Sequence, residues 1–303
     1  MPRLLIPALL SLAIGAADLR SAQATTGAPP STTRVVYVNA VDAHHASVAD
    51  LGVPDFVVKE DGKSREVLSV EPAVQGLQVI VLVDDNGTGV FRYGLAALAQ
   101  RLQGRAELAI RVVANQVQTL VETTRDVNAW LAGIAHLGVR PPTPDGGQLL
   151  EGIFEAARDF RRREATRPVI VALTVGGEEQ SPRPSGQVLD ELWRSGAALH
   201  VLFVESRTIR PPVAVGKPSD LLEDTFNLGK VLSSGPRESG GQRRDILSAG
   251  AQPVDVQHIA QDLMSQYAIT YSRPAGGSQP RKLQVTSPRS GVTVIAPTRV
   301  PVR

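Results

Sequence analysis

Continuous apolar runs alternate along most of this chain with stretches whose apolar residues recur at every third or fourth position. The runs are Leu77 to Val83, Leu108 to Ala114, Pro168 to Thr174 and Ala198 to Glu205, with further strand candidates at Gln116 to Glu122 and Tyr267 to Ser272. Runs without internal alternation are those of strands covered on both faces. Between them, Leu95, Leu98, Ala99 and Leu102 fall on one helical face. So do Leu149, Ile153, Ala156 and Phe160, and Val256, Ile259, Ala260, Leu263 and Met264. Strand and helix in alternation predict an α/β fold over residues 76–279: a doubly wound, mostly parallel sheet with helices on both faces.

The pattern changes at both ends. Residues 33–75 hold β-rich segments, TRVVYVNAVDA and PDFVVKEDGKSREVLSV, and Asp61-Gly62 is the pair best suited to the positive φ angles of a tight hairpin turn. Near the C-terminus KLQVTSPRSGVTVIA reads as another hairpin. Residues 280–303 are expected to return to the N-terminal β module, because the ends of compact units are often close. A Pro- and Gly-rich stretch, 206–252, interrupts the alternation and reads as an insertion with one short helix at SDLLEDTFNLGKVL, capped by Ser219.

The first residues join Arg3 to an apolar run over 4–17, too short to span a bilayer comfortably, and then to Ala22-Gln23-Ala24. A signal peptide over 1–24 and a linker over 25–32 are expected, with the mature protein periplasmic or secreted. The chain has no cysteine, which excludes disulfides and thiolate chemistry. A net charge of +2 and 4% aromatic residues offer neither the field nor the stacking surface of a nucleic-acid binder. No later segment is apolar enough to span a membrane.

Chemistry concentrates in VIVLVDDNGTG, residues 79 to 89, where an apolar strand runs into acids at its carboxyl end, the position at which doubly wound sheets bind ligands. If the chain stays extended there, Asp84, Asn86 and Thr88 point one way and Asp85 and Gly87 the other, giving three oxygens of the kind hard cations take. The bland alternative is a strand-to-helix turn with Thr88 as helix cap. Gly87-Thr-Gly89-Val-Phe-Arg92 is also most of a dinucleotide fingerprint, but Arg92 stands where a third Gly belongs and the two acids would repel a pyrophosphate. A doubly wound hydrolase or nucleotide-dependent enzyme using the Asp84/Asp85 loop is therefore the weaker functional reading.

An apolar strand ending in D-x-S-x-S resembles the first element of the metal-ion-dependent adhesion site of von Willebrand factor type A (VWA) domains. Residues 35 to 296 look like a secreted bacterial subgroup of that family, with DFVVKEDG before the domain and IAQDLMSQYAITY closing it. The resemblance implies a non-enzymatic binding or scaffolding protein. Its magnesium, or manganese, would be held by Asp84, Asn86 and Thr88 and completed by an acidic side chain of a protein partner. Carried over position by position, the family's helix-opening Thr falls on Gln148 and its last Asp on Val175, so the metal site is expected to be weakened or lost. Asp145-Gly-Gly-Gln148 also has the spacing of a capping box, which would turn Gln148 toward the helix start. The run Arg161-Arg162-Arg163 sits near a helix end, where positive charge complements the dipole.

Overall fold

The computed structural model describes residues 31–301 apart from residue 75 and residues 139–146, 206–217 and 276–280. The expected signal peptide, most of the linker, Asp145 and the first part of the 206–252 stretch lie outside the described residues. In chain order, β1 (Ser31–Val41), β2 (Val57–Glu60), β3 (Lys63–Arg65) and β4 (Val67–Pro72) precede β5 (Leu77–Asp84), where the strand–helix alternation begins. There follow α1 (Arg92–Leu102), β6 (Ala106–Val113), β7 (Val117–Thr124), α2 (Val127–Ala135), α3 (Leu149–Arg162), β8 (Arg167–Thr174) and α4 (Ser185–Ser195). Next come β9 (Ala198–Val204), α5 (Pro218–Ser239), β10 (Arg243–Ile246) and α6 (Gln252–Met264), then β11 (Tyr267–Pro274), β12 (Leu283–Thr286) and β13 (Thr293–Ile295).

The central sheet has the order β10-β9-β8-β5-β6-β7. Every neighbouring pair is parallel except β6–β7. The chain starts in the middle with β5, steps outward to β7, then returns to build β8, β9 and β10 on the other side. Strand order therefore reverses between β5 and β8. Alternate residues of β5 feed two cores: Val79, Val81 and Val83 pack with α1, α2 and α6, while Ile80 and Leu82 pack with α3, α4 and α5. A strand buried on both faces has no polar side to show, which is why its sequence lacks alternation.

Three sequence expectations are corrected. Tyr267 to Ser272 does not join the parallel sheet; as part of β11 it lies antiparallel between β1 and β4. Its buried residues Tyr267, Ile269 and Tyr271 alternate with half-exposed ones, the mark of a one-sided sheet. The sixth place in the parallel sheet belongs to β10, an edge strand of sequence RRDI inside the stretch read as an insertion. There too α5 is a 22-residue crossover helix that runs through Gly235-Pro236, so Ser219 lies within the helix instead of capping it. Gly235 is required by packing, since a Cβ there would meet Leu199 Cδ2 at 2.8 Å.

The C-terminal segment returns to the N-terminal strands but not as a hairpin: β12 pairs with β2, and β13 pairs with β1. Asp61 and Gly62 both take positive φ between β2 and β3. Arg167, at the amino end of β8, ties the β module to the sheet. It is 3% exposed and donates to Gln266 Oε1 and to the carbonyls of Ala73 and Leu263, and it lies over the ring of Tyr37.

Arg167→Leu is expected to lower stability by about 3 kcal/mol, because several buried acceptors lose their donor together. A loss below about 0.5 kcal/mol in urea unfolding would mean that this tie is dispensable. A second outcome concerns His200 on β9, whose ring is fully buried with no partner at either nitrogen among the described residues. Burial, helped by the charge of Arg244, lowers its pKa to about 4. The unfolded chain takes up that proton near its ordinary value and the folded chain does not, so stability falls as pH drops from about 6.5 to about 4. His200→Leu should flatten this acid limb, removing on the order of 3 kcal/mol of pH dependence; an unchanged limb in pH-resolved denaturation would locate the proton uptake elsewhere.

Candidate functional site

The reversal of strand order leaves a crevice at the carboxyl ends of β5 and β8, between the first turns of helices that lie on opposite faces. Asp84 and Thr174 end those two strands in direct register. The Thr174 hydroxyl donates to Asp84 Oδ2 at 2.6 Å and accepts from Gly176 N at 2.9 Å. On the other side Gly147 closes in. A Cβ there would stand 3.1 Å from Asp84 Oδ1, so no residue with a side chain fits without displacement.

The loop after Asp84 does not run extended. Asn86 has φ +48°, Gly87 φ +79° and Gly89 φ +67°, and Thr88 N donates to Asp85 O at 3.0 Å, closing a turn. The strand alternation that would gather Asp84, Asn86 and Thr88 therefore ends at Asp84. Asp85, expected to face away, is fully buried and organises the turn, its carboxylate accepting from Gly87 N at 3.0 Å and Gly89 N at 2.8 Å. The Thr88 hydroxyl donates to Asp85 O at 2.8 Å, and Thr88 is exposed. Gly89 is fixed by contact as well as by φ, because a Cβ would lie 2.7 Å from Leu137 O. The amides that a phosphate would need already serve Asp85.

At the start of α3 the structure also departs from expectation. Gln148 is the N-cap by its backbone, its carbonyl accepting from Gly152 N at 3.0 Å, but its side chain makes no cap bond. The cap comes from Glu179, in the loop after β8, which sequence reasoning overlooked. Its carboxylate accepts from Leu149 N at 3.1 Å, Leu150 N at 3.3 Å and Ser181 N at 3.0 Å. A carboxyl at a helix N-terminus accepts from orphan amides and, when ionised, meets the positive end of the dipole, so a Gln side-chain cap is redundant. Backbone pairing locks the loop in place, Gly147 N donating to Glu178 O and Gln180 N to Gly147 O. Val175, at the family's last Asp position, is 4% exposed and contributes only its amide, to Asp84 O.

Two buried acids thus face one another across the crevice. Burial pushes the Asp84 carboxyl up to about 7; the Thr174 bond opposes this and the charge of Asp85 adds to it. Asp84 retains some accessible surface, yet its carboxyl is enclosed closely enough for desolvation to dominate. Burial likewise raises Glu179 to about 8, with the Asp84 charge as second cause and the three amides opposing. As arranged, the donors do not fit a magnesium ion. Asp84 Oδ2 is held by Thr174, Oδ1 is backed by Gly147, Asp85 and Thr88 bond within their own turn, and Val175 has no oxygen to give beyond its backbone. Among the described residues no group of three or more His, Cys, Asp or Glu is placed to hold a metal.

Fold and site together define a doubly wound α/β protein whose switch point is closed by its own carboxylates. No protein-family model matches the chain, and no curated protein matches it either. Among solved structures it is similar to the conserved hypothetical protein BatB from Bacteroides thetaiotaomicron, at 15% identity and TM-score 0.41 over 62% of this chain and 98% of that one. A von Willebrand factor type A structure from Catenulispora acidiphila matches at 11% identity and TM-score 0.45, over 92% and 76%. Proximal thread matrix protein 1 from the mussel byssus, with a zinc-occupied MIDAS motif, matches at 12% identity and TM-score 0.46, over 68% and 49%. Likenesses at this level concern the arrangement of elements and not the site.

The acid pair sets a pH dependence opposite to that of His200. Unfolded carboxyls release their protons near pH 4, whereas the folded pair holds them longer, so the stability they contribute is full at low pH and is lost as pH rises toward about 8. Asp84→Asn keeps an acceptor for Thr174 and removes one charge. It is expected to raise the unfolding midpoint at pH 8 by the equivalent of about 1–2 kcal/mol, with little gain at pH 4. Equal effects at both pH values would show that Asp84 and Glu179 do not repel one another.

Proposed function

We propose that this chain is an exported VWA-like binding or scaffolding protein, not an enzyme, whose metal-ion site has been replaced by an internal carboxylate cap. The observation that carries this reading is Glu179. It occupies the α3 N-terminus, accepting from two α3 amides and from Ser181 N of its own loop, beside an Asp84 already bonded to Thr174. A catalytic acid or base must reach a substrate, and a metal ligand must reach an ion; here each carboxylate is turned to the protein's own backbone or hydroxyls. Raised pKa values at a switch point are what an enzyme would use, but these arise in groups bonded inward. The cavity of about 440 Å³ at the seam of the two modules is lined by Arg34, Tyr37, Arg167 and Trp193. It lies at the amino ends of β8 and β9, the opposite edge of the sheet from Asp84.

Support for export comes from the apolar N-terminal run with its Ala22-Gln23-Ala24 site and from the absence of cysteine. Among the described residues no helix is long and apolar enough to cross a membrane. The resemblance to VWA domains supports a protein as partner, bound through surface groups in place of a shared ion.

Thermal unfolding of the mature chain with EDTA, magnesium or manganese tests the loss of the metal, since a ligand of the folded state raises the midpoint. The expected result is the same midpoint in all three, for the wild type and for Asp84→Ala each compared with itself. A metal-dependent rise that Asp84→Ala abolishes would restore the ion-mediated reading. Hydrolysis of activated esters or nucleotides that is lost in Asp84→Ala would restore the enzyme.

A further inference from the structure

The two edges of the central sheet are built differently. β10 is short and carries Arg243, Arg244 and Asp245, charges of the kind that discourage strand addition. β7 is longer, VQTLVETT, with one charged residue, and no described strand pairs with its outer side. Its inner pairing with β6 is irregular between Leu108 and Arg111, but Arg111↔Thr119, Val112↔Gln118 and Val113↔Val117 follow in regular register.

Beside that regular stretch lies a polar cleft of about 340 Å³ between β6, β7 and α3, lined by Arg111, Thr119, Glu155, Arg158, Asp159 and Arg162. Arg111 is 9% exposed; one of its terminal nitrogens bonds Asp159, and its Nε is buried without a partner among the described residues. Asp159 is shared with Arg162, and the two guanidinium groups hold its carboxyl below the usual range against the cost of burial. Arg158 is exposed and has no ion-pair partner among the described residues. The cleft thus holds one more cation than anions, and its uncommitted donors are guanidinium N–H groups, which match a carboxylate in two-pronged geometry. Glu155 in the lining disfavours a dianion. The helix dipole accounts for positive charge near the α3 end, but not for a buried guanidinium nitrogen left unbonded beside an open strand edge.

We infer that the β7 edge and the Arg111–Arg158–Arg162 cleft form the docking surface for an acidic, extended segment of a partner protein, whose backbone pairs along β7 while a carboxylate enters the cleft. The inference rests on the reading of the chain as a binding protein and names the chemistry of its partner. Backbone pairing supplies affinity without regard to sequence, and the guanidinium groups select the acid.

The test uses the mature chain and a short labelled peptide in which Glu alternates with Val, against the same peptide with Gln for Glu. Anisotropy should show the acidic peptide binding at least about tenfold more tightly, weakening as salt is raised. Arg158→Glu, which breaks no described contact, should abolish that difference, and hydrogen exchange should show the Val117–Thr124 amides slowed by the peptide. Binding of the acidic peptide unchanged in Arg158→Glu would overturn this surface while leaving a binding protein whose contact lies elsewhere. Competition by inorganic phosphate or acetate with no slowing of β7 amides would mean a free-anion site, and would overturn strand addition. Absence of binding by either peptide would overturn the surface itself; the metal and hydrolysis assays on Asp84→Ala judge the broader reading separately.

Discussion

The hydrogen bond from Thr174 to Asp84 closes the one place where a doubly wound sheet cannot close itself. Helices on either face cover β5 and β8 along their length, but above their carboxyl ends the chain leaves in opposite directions and a crevice remains. Polar groups in such a crevice must be satisfied by solvent, by a ligand or by each other. Here they satisfy each other. Asp84 is bonded across the switch point, Asp85 to the turn that follows it, and Glu179 to the first amides of α3. Asp84 joins the ends of β5 and β8, Glu179 joins the loop after β8 to the start of α3, and Asp85 shapes the turn that leads to α1.

An ion and a carboxylate solve the same problem at different cost. A divalent cation would neutralise Asp84 and lower its pKa; here burial raises it, and the charge of Asp84 in turn adds to the rise of Glu179. The protein tolerates that repulsion because Glu179 gains three amide donors and a helix dipole, each favouring the charged form. The result is a cap that needs no metal to be supplied but weakens as pH rises. Gly147 completes the arrangement, since a Cβ there would press on Asp84 Oδ1 and Val113 Cγ1 at 3.1 Å where the backbone pairs with the Glu179 loop.

How much of this could be read in the sequence follows from what each residue answers to. Strands β5, β8 and β9 are buried on both faces and advertise themselves as unbroken apolar runs. β10 is an edge strand with RRDI, so its membership in the sheet depends on neighbours rather than on its own pattern. α5 was read only as the short helix SDLLEDTFNLGKVL and in fact continues through Gly235-Pro236, where the Gly lets the helix approach Leu199. At the site, the place of Asp84 at the carboxyl end of a buried strand was legible from the apolar run before it. Thr174 was the last residue of a recognisable strand, yet its bond to Asp84 depends on register between strands far apart in sequence. Glu179 gave one signal, two adjacent acids after Gly176-Gly177 at a strand's carboxyl end, and nothing local says that the loop folds back onto α3. The expectation that Asp84, Asn86 and Thr88 point one way assumed strand geometry through residue 88, whereas β5 ends at Asp84 and the chain turns at Asn86 and Gly87.

Closing the crevice has a consequence for recognition. An ion on a binding face lends a positive charge that a partner's acid completes; a face closed by Glu179 and Asp84 lends none. Attraction for an acidic partner then has to come from side chains, and guanidinium groups are the ones that hold a carboxylate in fixed geometry without first being loaded. The arginines beside β7 sit at the opposite end of α3 from Glu179. The dipole that makes the α3 N-terminus a seat for an internal anion makes its C-terminal end favourable for Arg161 and Arg162. On the proposed reading, one helix separates two roles, holding the fold's own carboxyl at its start and offering cations to another chain's carboxylate near its end.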